Sequence, residues 1–268
     1  MTGAGRDLPI RLISSVLLIL VALVGAWYGG WAAALLIAAT TAIVHVEWIG
    51  LSEKAYWPAA ATVAGPVGGI LLFAGGYVEV GIAIAVVSLV AAAATSGTVW
   101  RPLGVVYAAA LGFALLLLRS SAEFGFVAIM ILFAVVWATD CGAFFVGRLV
   151  GGAKLWPSVS PRKTWSGAAG GLAGGIAAGA AMAPALGLAL SGPMVLTFAL
   201  LSIAAQFGDL FESMLKRRFG AKDSGRLLPG HGGFMDRVDG LVFAAVAAVA
   251  LGWLGGGHAD LAAGLVQW

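Results

Sequence analysis

Nine charged side chains crowd into residues 216–240, KRRFGAKDSGRLLPGHGGFMDRVDG. Six are cations (Lys216, Arg217, Arg218, Lys222, Arg226 and Arg237) and three are aspartates (Asp223, Asp236 and Asp239), with His231 set among glycines. Lys216, Arg217, Lys222, Arg226 and Arg237 together can neutralise a polyphosphate, and Gly225, Gly230, Gly232 and Gly233 allow backbone to approach it closely. Asp236 and Asp239 stand three residues apart, on one face of the helix expected to begin there. With Asp209 upstream they offer hard oxygen ligands of the kind Mg²⁺ takes while phosphates complete its shell. His231 has the chemistry to donate to a phosphate or to help pyrophosphate leave; its plainer role is a hydrogen bond that stabilises the turn. Cations and carboxylates beside glycines suit phosphoryl or nucleotidyl transfer.

Three further stretches carry chemistry. Ser202, Gln206, Asp209, Ser213 and Lys216 recur at spacings of four, three, four and three, a polar stripe along one helical face beside Glu212. Such a stripe must face water or the interior of a bundle, because an ionisable group in lipid costs several kcal/mol. Residues 158–167, SVSPRKTWSG, set Arg162 and Lys163 between hydroxyls just before a helix, where free backbone N–H groups favour phosphate. A basic segment of this kind also suits anionic lipid headgroups. Asp140 lies in an apolar run with Arg148 eight residues on, so the pair either fixes helix register or leaves Asp140 to a metal. Glu47, with His45 two residues before it, is a third carboxylate at a span end, where it either reaches the interface or serves the site.

The elements that must position these groups are membrane spans. The 268 residues are 61% hydrophobic and 10% charged, with a mean hydropathy of +1.02, against roughly 25% charged in soluble domains. Nine apolar runs, near 9–27, 31–50, 58–75, 78–96, 102–118, 124–147, 167–187, 193–214 and 238–255, approach the length that crosses a bilayer as helix. The expected fold is all-α, a polytopic integral membrane protein of about nine transmembrane helices. Residues 1–123 hold helices one to five, and residues 124–268 hold helices six to nine with the charged loops. Fourteen of the fifteen Lys and Arg residues then fall on one face and only Arg119 on the other, which places the N-terminus in the cytoplasm. That rule also accounts for the pI near 9.2 without nucleic acid. The single Cys141 excludes an internal disulfide and reads as a small helix residue. The small-residue faces of the seventh run suit close helix packing and are compatible with a homodimer.

Residues 213–239 closely resemble the signature of the phosphatidate cytidylyltransferases, or CDP-diacylglycerol synthases. Ser213-Met-Leu-Lys-Arg, then Lys222-Asp-Ser-Gly, then Leu228-Pro-Gly-His-Gly-Gly-Phe-Met-Asp-Arg-Val-Asp239 fill its fixed positions over 27 residues. The likeness extends upstream to Asp140 with Gly147 and Arg148, and to residues 160–167, where Ser166 stands in place of the usual Glu. The first five spans match only in character. The resemblance implies transfer of the cytidylyl group of CTP to phosphatidate, within a bacterial inner membrane and on its cytoplasmic side. It implies Asp140, Asp209, Asp236 and Asp239 as holders of Mg²⁺, with room for a second cation. Lys216, Arg217, Lys222 and Arg237 would steady the triphosphate and its departing pyrophosphate, with Ser213, Asp223, Gly232 and Gly233 in the same substrate region. Ser160, Arg162, Lys163 and Thr164 would hold the phosphatidate headgroup while its acyl chains stay among membrane lipids. Apart from this resemblance, the residues leave open a CTP-dependent lipid kinase and a secondary transporter of an anionic substrate. The transporter calls for two related halves, and no internal repeat is evident.

Overall fold

Apolar runs without charge leave the backbone no partner in lipid but itself, so they close their hydrogen bonds as helices. The computed structural model describes residues 4–53, 57–225, 227 and 232–268, and the side chains of these except at 4–12 and 57–60. Its helices are α1 (Ala4–Tyr28), α2 (Gly30–Glu53), α3 (Trp57–Ala74), α4 (Val78–Thr95), α5 (Trp100–Arg119), α6 (Gly125–Leu149), α7 (Trp165–Ala185), α8 (Gly192–Arg218), α9 (Met235–Leu254) and α10 (Leu261–Val266). Each expected span matches one of α1 to α9, overrunning it by no more than two residues at an end. Among the described residues, α2 and α4 to α9 are long and apolar enough to cross a membrane, and Ile13–Tyr28 and Ala61–Ala74 are shorter apolar stretches. The link between α1 and α2 is closed by Gly29 at φ 61°, a backbone conformation that side-chain-bearing residues avoid. Gly220, at φ 65°, follows the end of α8 as a C-terminal glycine should. Pro102 and Pro193 sit in first turns, where no N–H is missed.

Two elements differ from the sequence expectation. Residues 154–164 form a hairpin, β1 (Lys154–Trp156) and β2 (Ser160–Thr164), paired antiparallel with Lys154 opposite Thr164 and Trp156 opposite Ser160. Five extended residues pair only with neighbours and show no period long enough to read. The glycine-rich end of the chain also holds α10, begun by Asp260, whose Oδ1 accepts from the N–H groups of Ala262 and Ala263.

The chain divides into two compact units, residues 1–116 with 219–238, and residues 117–218 with 239–268. In the first, α2 packs on α3 and α3 on α4, and buried polar groups find partners between helices. His45 Nε2 lies 2.7 Å from Thr62 Oγ1, Ser88 Oγ donates to the Thr62 carbonyl, and Trp48 Nε1 donates to the Trp100 carbonyl at 2.8 Å. Arg101 forms a forked pair with Glu53 at 2.7–3.3 Å.

In the second unit, α7 packs closely against α6. A Cβ on Gly142 would lie 2.5 Å from the Gly170 carbonyl oxygen, so backbone meets backbone there and only glycine fits. The α7 face of Gly167, Gly171, Gly175, Gly179 and Ala183 is buried within the chain. Thr139 Oγ1 donates to Ser202 Oγ at 2.8 Å, and Gln206 Nε2 donates to the Ala168 carbonyl at 3.3 Å. Two members of the polar stripe on α8 therefore face the bundle interior.

Candidate active site

In the first unit, the described flanks of the signature loop are held by two carboxylates. Asp236 stands in the first turn of α9, and its Oδ2 accepts from the backbone N–H groups of Ser224 at 3.0 Å and Gly233 at 2.9 Å. A carboxylate at a helix start meets donors with no intrahelical partner. Glu47, 7% exposed on α2, accepts from Phe234 N at 2.9 Å, Met235 N at 2.7 Å and Ser224 Oγ at 3.3 Å. The glycines serve this packing. A Cβ on Gly225 would come 2.4 Å from Glu47 Oε1, and one on Gly233 would come 2.0 Å from Ser224 Oγ. Gly232, at φ 85°, turns beside Asp223 and Asp236. Lys222, Asp223 and Arg237 are exposed around this folded backbone, two cations bracketing it in sequence. Arg226, Gly230 and His231 lie outside the described residues.

In the second unit, the site residues gather at the end of α8, at the hairpin and at the start of α7. Lys163, half-buried in β2, makes an ion pair with Asp209 on α8. Ser160 is half-buried at the start of β2, and Arg162 is exposed. Thr164 is buried and begins α7, its Oγ1 accepting from Gly167 N at 3.0 Å and lying 3.0 Å from Ser166 Oγ. Ser166, where the resemblance predicts Glu, donates to the Gly151 carbonyl instead. Arg217 is exposed, with Nε donating to the Val159 carbonyl at 3.4 Å, while Ser213 is half-buried on α8.

Asp239 lies within electrostatic reach of Asp209 and Glu212, and its Oδ1 accepts from Gly240 N at 2.8 Å. Glu212, 1% exposed, pairs with Lys216 at 2.9 Å one turn along α8. Asp209 and Glu212 are thus each paired with a lysine, and Asp239 feels both carboxylates. Asp140 and Arg148 are both exposed on α6, about 12 Å apart along its axis by helix rise. No group of three or more His, Cys, Asp and Glu side chains among the described residues is arranged to hold a metal ion.

By sequence alone Glu212 stands beside the polar stripe, and Glu47 either reaches the interface or serves the site. The i, i+4 spacing of Glu212 and Lys216 was a readable signal. Nothing local marks Glu47, whose backbone partners are 187 and 188 residues away.

Helices of membrane length, with charged groups collected at helix ends and loops, define a polytopic membrane protein. The chain belongs to the cytidylyltransferase family, whose profile matches residues 9–254. It is 42% identical over 245 residues to a protein of Brucella suis named phosphatidate cytidylyltransferase, covering 89% of this chain and 91% of that one. A Bacillus subtilis protein of the same name is 42% identical over 127 residues, 47% of each chain. One from Staphylococcus haemolyticus is 47% identical over 116 residues, 43% of this chain and 45% of its own.

Proposed function

We propose that this protein transfers the cytidylyl group of CTP to phosphatidate, forming CDP-diacylglycerol and pyrophosphate for phospholipid synthesis. The observation that carries the reading is the likeness to the Brucella suis phosphatidate cytidylyltransferase over 89% of the chain. A phosphate oxygen of phosphatidate bonds to the α-phosphorus of CTP, and the bond from that phosphorus to the pyrophosphate oxygen breaks. Phosphatidate is already anionic near neutral pH, so no strong base is required of the protein. The difficulty is bringing two anions together and holding them in line.

In the first unit, Lys222 and Arg237 stand exposed on either side of backbone fixed by Asp236, suited to steadying the triphosphate and the leaving pyrophosphate. In the second, Arg162, Lys163, Ser160 and Thr164 lie together on the hairpin and at the helix start, suited to a lipid phosphate. Asp209 and Asp239, with Glu212 beside them, fit Mg²⁺ as donors, since that ion takes one or two carboxylates and completes its shell with phosphates and water. When bound with CTP, the ion would neutralise charge on the phosphates and make the α-phosphorus more electrophilic. Nine spans in the inner membrane of a bacterial cell, with the N-terminus and both charged loops in the cytoplasm, would bring this chemistry to where CTP is found.

A product assay tests the reading. Purified protein in detergent micelles receives phosphatidate, Mg²⁺ and CTP labelled on the α-phosphorus. Label is expected to enter the lipid as pyrophosphate is released, to stop with EDTA and to resume when Mg²⁺ is restored. Asp236→Asn weakens two charge-assisted hydrogen bonds, each worth roughly 1.5–3 kcal/mol, so turnover is expected to fall at least about tenfold. Label retained in soluble CDP while lipid gains the γ-phosphate would replace this reading with a lipid kinase.

A further inference from the structure

We infer that Glu47, on the second helix, is a positioning residue for the CTP-binding loop: its buried carboxylate joins the loop's two flanks, holding Ser224 on one and Phe234 and Met235 on the other. The inference rests on the cytidylyl-transfer reading for its kinetic consequence, though the contact itself does not depend on it.

Three observations carry it. The Glu47 carboxylate is directed at the chain. Oε1 accepts from Phe234 N at 2.9 Å, and Oε2 accepts from Met235 N at 2.7 Å and from Ser224 Oγ at 3.3 Å. Ser224 and Gly225 precede residues 226–231 and Gly233 to Met235 follow them, so one side chain ties together both flanks of that segment. The fit around the carboxylate also leaves no slack. A Cβ on Gly225 would approach Oε1 to 2.4 Å, and one on Gly233 would approach Oε2 to 2.8 Å. Finally, Glu47 and Asp236 act on adjoining groups. Ser224 gives its hydroxyl to Glu47 and its N–H to Asp236, while Gly233 N goes to Asp236 and the next two N–H groups go to Glu47.

The electrostatics agree with this arrangement. A buried carboxylate needs donors to replace its lost hydration. The N–H groups of Phe234 and Met235 lie at the start of α9, where the helix has no acceptor for them and where its dipole favours negative charge. An aliphatic residue at position 47 would leave those donors buried without acceptors, and the tie between Ser224 and the start of α9 would be lost.

Glu47→Ala, Glu47→Gln and Glu47→Asp are made in the full-length protein and compared with wild type in micelles. Hydrogen exchange of peptides covering residues 232–236 reads the contact without activity. Exchange at Phe234 and Met235 is expected to be at least tenfold faster in Glu47→Ala and intermediate in Glu47→Gln, which keeps one acceptor oxygen. In kinetics, KM for CTP is expected to rise at least fivefold in Glu47→Ala while KM for phosphatidate stays within twofold, with part of the loss recovered in Glu47→Asp. If Glu47→Ala does not fold, Gly225→Ala displaces the loop from an intact Glu47 and should raise KM for CTP in the same selective way. Unchanged exchange, or equal loss of affinity for both substrates in the folded variants, would overturn the inference. A wild-type protein that turns over neither substrate yet shows the expected exchange pattern would overturn the cytidylyl-transfer reading and leave the contact standing.

Discussion

The ion pair of Lys163 with Asp209 brings two candidate site residues into direct contact, one from the hairpin and one from α8. Both side chains are partly exposed, 25% and 36%, so water screens the pair and it contributes no more than about 1 kcal/mol to stability. Under the proposed function the pair has a chemical use, since a lysine paired with a carboxylate can move to a substrate phosphate at little cost. Lys163→Gln is therefore expected to lower the melting temperature by no more than a few degrees while raising KM for phosphatidate several-fold, as read by thermal unfolding and by kinetics on mixed micelles. A large loss of stability with unchanged KM would make the lysine structural. Glu212 is the opposite case, almost fully buried with Lys216 one turn along. Removing only one partner there would leave an uncompensated charge.

At the scale of elements, the approach of α6 to α7 holds the second unit's site in place, because the hairpin and the N-terminus of α7 follow directly from α6. The atoms nearest a Cβ on Gly142 are all backbone of α7, which yields less readily than the end of a side chain. Gly142→Val should overpack this seam and cost about 1–3 kcal/mol. The expected result is lower thermal stability in detergent, with activity lost in parallel with folded protein. The alternation of small residues in α7 made this packing legible beforehand. The polar stripe on α8 was legible too, and the tertiary structure adds its partners: Ser202 meets Thr139, Gln206 meets a carbonyl of α7, and Asp209 meets Lys163. The β1–β2 hairpin was not legible, since its strands are too short to show a period.

For the whole molecule, the proposed orientation follows from the cations. On the background of Cys141→Ala, single cysteines at Lys154 in the hairpin and at Gly187 after α7 report it. An impermeant maleimide added to intact cells is expected to label Gly187→Cys, and to label Lys154→Cys only after the membrane is opened. The reverse pattern would invert the topology and move both charged loops away from cytoplasmic CTP.

Composition and hydropathy by themselves determined that the chain is a helical membrane protein, because a backbone in lipid has few ways to satisfy its hydrogen bonds. The run of fixed residues from Ser213 to Asp239 likewise pointed to the cytidylyltransferase family without any coordinates. Only the tertiary structure decided what the carboxylates touch. Glu47 reaches Ser224 and the start of α9, while Glu212 is buried against Lys216. Such pairings join positions up to 188 residues apart and are set by the meeting of packed helices. Periodicity reports which face of a helix is polar; it carries no information about what that face will meet.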